Sequence, residues 1–398
     1  MQETLLKLKK DHDRRLRGGH AWVYSNEVDT TATPLTAFEP GQPVDIVTHR
    51  DQWLGSGYVN PHSLICARIV SRDREHPLNR SLLVHRINIA LSLRERLYAE
   101  PFYRLVYGES DGLPGLVVDR YGAVLVVQLT TAGMERLRED IVHALDKVLK
   151  PSGILLRNDS AVRAMEGLPA YVEAAAGAVP DTVLVEEGGC RFEVSPMAGQ
   201  KTGWYFDQAA NRDRAMRHVA GRRVLDVCSY VGAWGIRAAH AGATHVTCVD
   251  ASATAVEAVV GNAARNGMAD RVDARQGDAF DALRELRAAG ERYDVVMVDP
   301  PAFVKRRKDL EEGALAYRRL NEAAMLLLQR DGVLVTSSCS FHMERDHLLR
   351  TVQQAARHSD RSLQLLEEGR QGPDHPVHPA MIETGYLKTF YLRVLPTF

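Results

Sequence analysis

The sequence of 398 residues lacks any long apolar run. No segment approaches the roughly 18 to 20 apolar residues that a membrane-spanning helix requires. The first residues, MQETLLKLKKDHDRR, lack the apolar core of a signal peptide. Hydrophobic residues make up 45% of the chain and charged residues 25%, which is typical of soluble globular proteins with two or three domains at this length. We therefore expect a cytoplasmic protein with no membrane partner.

Cysteine is scarce and irregularly spaced. The five cysteines form no C-x-x-C pair and have no histidine nearby at metal-ligand spacing: Cys66, Cys190, Cys228, Cys248 and Cys339. An odd number at wide spacing argues against a disulfide framework and against a zinc site, so we predict no bound metal. Three of these cysteines are expected in the core: Cys66, Cys190 and Cys248.

An excess of positive charge is also missing, since the formal net charge is −1. A nucleic-acid partner therefore has to be argued from local basic clusters, which occur at residues 7–17, 68–74 and 305–308. Taken alone, each cluster is more often a solvated charged face than a binding surface. The residues that we select as candidate nucleic-acid contacts are Arg14, Arg15, Lys305, Arg306 and Arg307.

The first half of the chain contains short strands and two helical patterns. Apolar segments up to residue 72, separated by Pro, Gly, Asn and Asp, predict a small β-rich domain over residues 1–73. Amphipathic spacing predicts helices from His76 to about Ala99 and from Met134 to Leu149, with strands between them. Residues 74–185 are therefore predicted to form a mixed α/β domain.

The second half alternates short apolar strands with segments of helix length. Continuous apolar strands with helical crossovers predict a doubly wound, Rossmann-like parallel sheet covered on both faces. We assign residues 186–398 to this domain, and the strands read as R-V-L-D-V-C, H-V-T-C-V-D, V-D-A-R-Q-G, Y-D-V-V-M-V-D and G-V-L-V-T-S-S-C.

Polar motifs follow these strands, at the edge where a doubly wound sheet binds ligands. An acidic residue at the end of the second strand can accept both hydroxyls of a ribose. The first turn has only Gly232 and Gly235 instead of G-x-G-x-x-G, a pattern that is weak alone, and it is the four strand-end motifs together that favour S-adenosylmethionine over a dinucleotide. The predicted cofactor contacts are Asp226, Cys228, Ser229, Tyr230, Val231, Gly232, Asp250, Ala251, Ser252, Asn262, Gly277, Asp278, Ala279, Phe280 and Asp299.

The segment Asp299-Pro300-Pro301 is the more specific signal. Two consecutive prolines fix the backbone and remove N–H donors, which leaves carbonyls free to accept from the amino group of a planar base. The fifth strand ends at Cys339 and should lie beside the fourth, so its thiolate can face the same pocket and add to C6 of a pyrimidine. A cysteine is often only a small buried hydrophobe. The predicted catalytic residues are Cys339, Asp299 and Pro300.

At these motifs the chain resembles the large-subunit ribosomal RNA methyltransferase I family, bacterial enzymes that form 5-methylcytosine in 23S ribosomal RNA. The matching segments are R-x-x-x-G-H-x-W-V-Y-S before residue 26, G-E-S-D-G-L-P-G-L-V-V-D-R-Y-G from Gly108, K-T-G-W-Y-F-D-Q-x-x-N-R from Lys201, S-Y-V-G, D-P-P-A-F, S-C-S and D-H-P-V.

The resemblance implies an N-terminal PUA domain that binds RNA, a central α/β domain and a class I methyltransferase domain that uses S-adenosylmethionine. It makes Cys339 the nucleophile and large-subunit ribosomal RNA the partner, and it leaves a homodimer open. Other enzymes of this chemistry carry a second cysteine where this chain has Ala302, so the base that releases the product is not identified. An upstream cofactor motif is also implied, with the contacts Lys201, Tyr205, Asp207, Gln208 and Arg212.

Two alternatives remain open from the residues themselves. Asp-Pro-Pro loops also serve methylation of a purine nitrogen, a reaction that needs no cysteine nucleophile. A catalytically inactive RNA-binding or ribosome-assembly factor would keep the same fold, although the acidic strand ends argue against it.

Overall fold

The computed structural model describes residues 4–397, and the chain divides there into two units. The first unit comprises the residues up to Val183 together with Ser195–Phe206 and Pro373–Thr384. The second comprises Leu184–Val194, Asp207–Gly372 and the residues from Gly385 onward. No helix in the described part of the chain is long and apolar enough to cross a bilayer.

A five-stranded sheet forms the N-terminal part of the first unit, in the order β1-β3-β4-β5-β2. Its core contains alternating apolar residues such as Val44, Ile46 and Ile69. Gly57 is required in this sheet because a Cβ there would lie 1.8 Å from the carbonyl oxygen of Arg68. The elements are β1 Leu5–Lys7, α1 Arg14–Arg17, β2 Trp22–Tyr24, β3 Gln42–Val47, β4 Trp53–Val59 and β5 Ile65–Ser71.

The central part of the first unit is a second sheet, in the order β10-β9-β8-β7-β6, with helices packed on it. The helix predicted from His76 begins at Arg80, where Asn79 caps it, and the one predicted from Met134 is split at Leu137. The elements are α2 Arg80–Leu97, β6 Phe102–Tyr107, β7 Leu116–Tyr121, β8 Val124–Leu129, α3 Ala132–Arg136, α4 Arg138–Leu149, β9 Gly153–Asn158, α5 Val162–Met165 and β10 Tyr171–Gly177.

Buried Glu166 joins the two sheets of the first unit. Its carboxylate accepts from Arg68 Nη1 at 3.0 Å, from Asn60 Nδ2 at 2.8 Å and from Ala132 N at 3.2 Å. A buried carboxylate with a cation and two further donors is well satisfied. Arg68, which the sequence placed in a basic cluster, therefore serves the interior of this unit.

The second unit contains a seven-stranded sheet in the order β15-β14-β13-β16-β17-β19-β18, in which the first five strands are parallel, as predicted, and the last two pair antiparallel. Helices α9 to α11 bury apolar residues against one face, which includes Val249, whereas Gly235 of α7 approaches Val246 and Cys248 on the opposite face. The elements, with the hairpin β11–β12, are β11 Val183–Glu187, β12 Cys190–Val194, α6 Ala209–Ala215, β13 Arg223–Val227, α7 Ala233–His240, β14 His245–Asp250, α8 Ala253–Arg265, β15 Val272–Gln276, α9 Ala279–Ala288, β16 Tyr293–Val298, α10 Leu310–Leu327, β17 Leu328–Ser338, α11 Arg345–His358, β18 Arg361–Gly369 and β19 Lys388–Pro396.

Candidate active site

The carboxyl ends of the central strands of the second unit meet at one edge. Because β13 pairs in parallel with both β14 and β16, all three end on the same side. Backbone hydrogen bonds tie the turns beyond them, from Ser229 N to Val249 O at 3.0 Å and from Asp299 N to Val227 O at 3.3 Å. This edge is where a doubly wound fold holds its ligand.

The turn after β13 has the backbone of a ligand-binding loop. Cys228 and Tyr230 adopt φ values of 64° and 50°, in the left-handed region that residues with a Cβ rarely occupy. Gly232 follows at φ 88° and precedes α7. The N–H of Tyr230 donates to Asp250 Oδ2 at 2.8 Å, which holds the turn against the end of β14.

Asp226 lies beneath this turn and is fully buried. Its Oδ2 accepts from Gly235 N at 2.9 Å, and burial raises the pKa of Asp226 to about 7 despite that bond. A Cβ on Gly235 would lie 2.5 Å from Cys248 Sγ, so α7 approaches the strand this closely only with glycine. Asp226 thus supports the turn from below.

Two acidic side chains at the strand ends keep oxygens available for a ligand. Asp250 is partly exposed and accepts from Tyr230 N and, at 3.0 Å, from Ser252 N, so each oxygen retains a lone pair. Asp278 is exposed and uses Oδ1 to cap α9 through Phe280 N at 2.9 Å. Such carboxylates suit a ligand that carries hydroxyl and amino groups.

The other predicted contacts at the strand ends surround these carboxylates. Ser229 is buried, and its hydroxyl has no hydrogen-bond partner among residues 4–397. Ala251 and Ser252 are exposed, and Ser252 caps α8. Val231 is buried, whereas three more are partly buried: Gly277, Ala279 and Phe280.

Two predicted cofactor residues are engaged in structural bonds. Asn262 Oδ1 accepts from Glu193 N at 2.7 Å, and its amide donates to Val231 O at 3.3 Å. Arg212 forms a bidentate ion pair with Glu187, at 2.6 and 2.7 Å. Asn262 and Arg212 are both buried, and their contact with a cofactor stays a prediction.

The carboxyl group of Asp299 is held from two sides. Oδ1 accepts from Gln208 Nε2 at 2.9 Å, and Oδ2 accepts from Trp234 Nε1 at 3.1 Å. Both bonds favour the carboxylate, but burial and the charge of buried Asp207 raise the pKa of Asp299 to about 6. Asp299 therefore gains a proton more readily than an ordinary aspartate. Pro300, the next residue, is buried.

Cys339 follows β17, the strand beside β16. Tyr317 of α10 holds both of its neighbours, because the Tyr317 hydroxyl lies 2.9 Å from Ser338 Oγ and 3.0 Å from Ser340 Oγ. Ser340 Oγ also accepts from Val304 N at 3.1 Å, in the loop after β16. This buried network fixes the Cys339 loop to the Asp-Pro-Pro loop.

The other cysteines lie in environments that suppress thiol reactivity. Cys66, Cys190 and Cys248 are buried, as predicted. Burial raises the thiol pKa of Cys66 to about 12 and that of Cys190 to about 11. Cys228 is partly exposed in the β13 turn, and burial together with nearby carboxylates raises its pKa as well. These four thiols are poor nucleophiles at neutral pH.

Lys201 and Tyr205 belong to the first unit. Lys201 is exposed, and its Nζ lies 4.7 Å from the centroid of the Tyr205 ring. The Tyr205 hydroxyl donates to Gln200 at 2.7 Å. Their contact with a cofactor stays a prediction.

The two N-terminal basic candidates differ in whether they pair with other residues of the first unit. Arg15 pairs with Glu27 at 2.9 Å and stacks 4.9 Å from the centroid of the Tyr24 ring, so its charge is largely used within the first unit. Arg14 is exposed. It borders an open cavity of about 390 Å³, whose other lining residues are Asp11, His12, Arg15 and Glu27.

The basic run after the Asp-Pro-Pro loop is solvent-exposed. Arg306 pairs with Asp309 at 3.1 Å. Lys305, Arg307 and Lys308 are exposed and form no ion pair with any residue that the structure describes. Three positive charges are therefore available at this position for an external anion.

The sequence did not identify three side chains of this edge. Trp234 donates to Asp299, Tyr317 joins the two loops, and Lys388 Nζ donates to Ser340 O at 2.6 Å. None of the three belongs to a motif. The F-Y-L-R-V-L alternation after Lys388 was an available signal for β19.

The strand ends fit S-adenosylmethionine. Its ribose hydroxyls, adenine amino group and ammonium are donors, which match the carboxylates of Asp250 and Asp278 and the Ser229 hydroxyl that lacks an internal partner. Gly232 lets the backbone approach such a ligand. The described residues contain no cluster of side chains that could hold a metal ion.

Two family models match the chain. One, described as a PUA-like domain, covers residues 6–72, and the other, described as an S-adenosylmethionine-dependent methyltransferase, covers residues 156–390. The cofactor is therefore S-adenosylmethionine, as predicted.

Known proteins agree with these matches. A methyltransferase crystal structure with bound SAH has a TM-score of 0.84 at 20% identity, over 99% of this chain and 100% of that one. A methyltransferase from Streptococcus mutans gives 0.83 at 20% identity, over 98% and 100%. At this identity, both show the fold alone. Ribosomal RNA large subunit methyltransferase I of Shewanella denitrificans is 38% identical over 394 residues, which cover 98% of this chain and 99% of the relative. The chain belongs to the ribosomal RNA large subunit methyltransferase I family.

Proposed function

We propose that the chain forms 5-methylcytosine in large-subunit ribosomal RNA through a covalent adduct on Cys339. The family name supplies the RNA class. The observation that carries the chemistry is the network of Tyr317, Ser340 and Val304. Among residues 4–397, Cys339 is the one partly exposed thiol outside the β13 turn. The network holds the Cys339 loop next to the Asp-Pro-Pro loop.

The β13 and β14 ends would hold the cofactor. Asp250 would accept from the ribose hydroxyls, Asp278 would accept from the adenine amino group, and the backbone from Tyr230 to Gly232 would line the methionine part. S-adenosylmethionine supplies an electrophilic methyl group when it is bound. Asp226 and Asn262 would support these contacts from the interior.

Cys339 supplies the nucleophile that cytosine itself lacks. Its thiolate forms an Sγ–C6 bond, and the electron pair of the C5–C6 double bond becomes available at C5. After methylation a base removes the C5 proton, the double bond re-forms, and the pair of the Sγ–C6 bond returns to sulfur. A stacked base has to be flipped into the pocket at a cost of a few kcal/mol, so an unpaired loop nucleotide is the favoured target.

The Asp-Pro-Pro loop would select cytosine. The Pro300 carbonyl would accept from the 4-amino group, and Asp299 in its neutral form would donate to N3. Burial already raises the pKa of Asp299 to about 6, and exclusion of water by the bound base would raise it further. Uracil presents a carbonyl and an N3–H at these positions, so the polar mismatch would disfavour it.

RNA binding would be shared between the PUA-like domain, through Arg14, and the exposed residues Lys305, Arg307 and Lys308. The latter follow the catalytic loop and can reach phosphates that flank the target base. We also propose that the chain consists of a PUA-like domain up to residue 73, a central domain up to residue 185 and a methyltransferase domain beyond it. We propose a cytoplasmic location for the protein.

Asp250→Ala should weaken S-adenosylmethionine binding by about 1.5 to 3 kcal/mol, because hydrogen bonds to a charged acceptor are worth that much. Isothermal titration calorimetry measures the change. Asp273→Ala is the matched control, since Asp273 is an exposed carboxylate of neighbouring β15 that pairs with His245. Equal affinity in both variants would remove Asp250 from the ribose site.

Charge reversal of Lys305 and Arg307 should flatten the salt dependence of RNA binding. The slope of log affinity against log salt should fall by about 0.7 to 0.9 for each phosphate that the variant no longer neutralises. Reversal of Arg284 and Arg287, exposed on α9, changes the net charge equally and should leave the slope unchanged. A wild-type slope in the Lys305 and Arg307 variant would show that these two residues are solvated and do not contact RNA phosphates.

RNA that carries 5-fluorocytosine at the target should trap a covalent protein–RNA adduct, because methyl transfer leaves no C5 proton to remove. Denaturing electrophoresis and peptide mass mapping should locate the adduct on Cys339. Cys339→Ala should abolish it, whereas Cys190→Ala should retain it. Methylation of cytosine without an adduct, or near-normal turnover in Cys339→Ala, would favour the purine-nitrogen alternative.

A further inference from the structure

Lys388 contacts both ends of the short segment that contains Cys339. The first residue of β19, Lys388 pairs with Ser338 across the antiparallel β17–β19 ladder. Its Nζ donates to the carbonyl of Ser340 at 2.6 Å. Cys339 lies between Ser338 and Ser340 in the chain, so the Lys388 side chain spans the segment that contains Cys339.

The ammonium of Lys388 has few hydrogen-bond acceptors within the protein to offset its burial. Ser340 O takes one of its three N–H groups, which leaves two for other partners. The titratable groups whose charge raises the Lys388 pKa are Cys339, from the loop after β17, and Glu344, just before α11. The charge of Cys339 also raises the pKa of the Tyr317 phenol, from α10. Among these groups Cys339 is the one that the proposed chemistry requires as an anion.

We propose that Lys388 holds Cys339 as a thiolate, in a thiolate–ammonium pair that forms when the lone pair of the neutral Lys388 amine takes the Sγ proton. The S–H bond breaks, its electron pair stays on sulfur, and the proton bonds to the lysine nitrogen. Lys388 is a positioning residue, since it acts through Cys339 and forms no bond to the base. This inference rests on the proposed role of Cys339 as nucleophile.

Burial supports this role. It lowers the pKa of Lys388 to about 8, because a low-dielectric site disfavours an ammonium. Lys388 can therefore exchange a proton with a thiol, whose ordinary pKa is about 8.5. When the Sγ–C6 bond later breaks, the returning electron pair meets the same cation. The pair would thus assist both attack and release.

The test measures the thiol directly and needs no RNA. The rate at which iodoacetamide alkylates Cys339 is followed against pH, by mass spectrometry of the Cys339 peptide, in wild type, Lys388→Met and Lys388→Arg. Lys388→Met should raise the pH at which the alkylation rate is half-maximal by about one unit or more, since an opposite charge at close range shifts a pKa by about one to three units. Lys388→Arg should keep the midpoint near wild type.

An unchanged midpoint in a folded Lys388→Met variant would overturn the proposal. Folding is checked by thermal unfolding and by S-adenosylmethionine affinity. A reciprocal measurement covers the case in which Lys388→Met does not fold. In Cys339→Ala, the Lys388 pKa, followed by NMR of isotope-labelled lysine, should fall because the neighbouring anion is gone. No change there would contradict the pair equally.

The two proposals fail separately. If Lys388→Met shifts the pH midpoint of Cys339 alkylation but no 5-fluorocytosine adduct forms, the thiolate–ammonium pair is supported and the covalent cytosine chemistry is contradicted. An adduct that forms while Lys388→Met leaves the thiol midpoint unchanged would keep that chemistry and remove Lys388 from it.

Discussion

The parallel pairing of β13 with β14 and β16 is the constraint on which the site depends. It brings the carboxyl groups of Asp226, Asp250 and Asp299 to one edge, where the last two raise the pKa of buried Asp226 beyond the effect of burial. The fold offsets this repulsion with N–H donors that point at each carboxylate: Gly235 N, Tyr230 N, Ser252 N, Gln208 Nε2 and Trp234 Nε1.

A second set of contacts governs the other half of the edge. Fully buried Tyr317 links the loops after β16 and β17, and Lys388 ties the Cys339 loop to β19. These contacts do not involve the β13 turn. The geometry of the Cys339 loop and that of the β13 turn are therefore set by different interactions within one sheet.

The sequence predicts the parts of the molecule that are encoded locally. The strands β14 and β16 are short apolar segments that end at or just before an acid, so they and Asp250 or Asp299 could be assigned from short windows. The strands β18 and β19 were not predicted, because they form by long-range antiparallel pairing to β17. Tyr317 and Lys388 were missed for the same reason.

Charge alone was a poor guide to which cations face outward. Arg15 and Arg68 occur in basic clusters, yet Glu27 and Glu166 pair with them. The partners lie 12 and 98 residues away, so no local window could show them. Asn262 and Arg212 likewise lie in predicted cofactor motifs, and their bonds to Glu193 and Glu187 could not be read from the sequence.

The methylation state of 23S ribosomal RNA in cells that lack this chain tests the central claim most directly. Mass mapping of that RNA should show the loss of a 5-methylcytosine, restored by the wild-type chain and not by Cys339→Ala. An unchanged 5-methylcytosine content, or the loss of a methyl group from a purine nitrogen, would contradict the account.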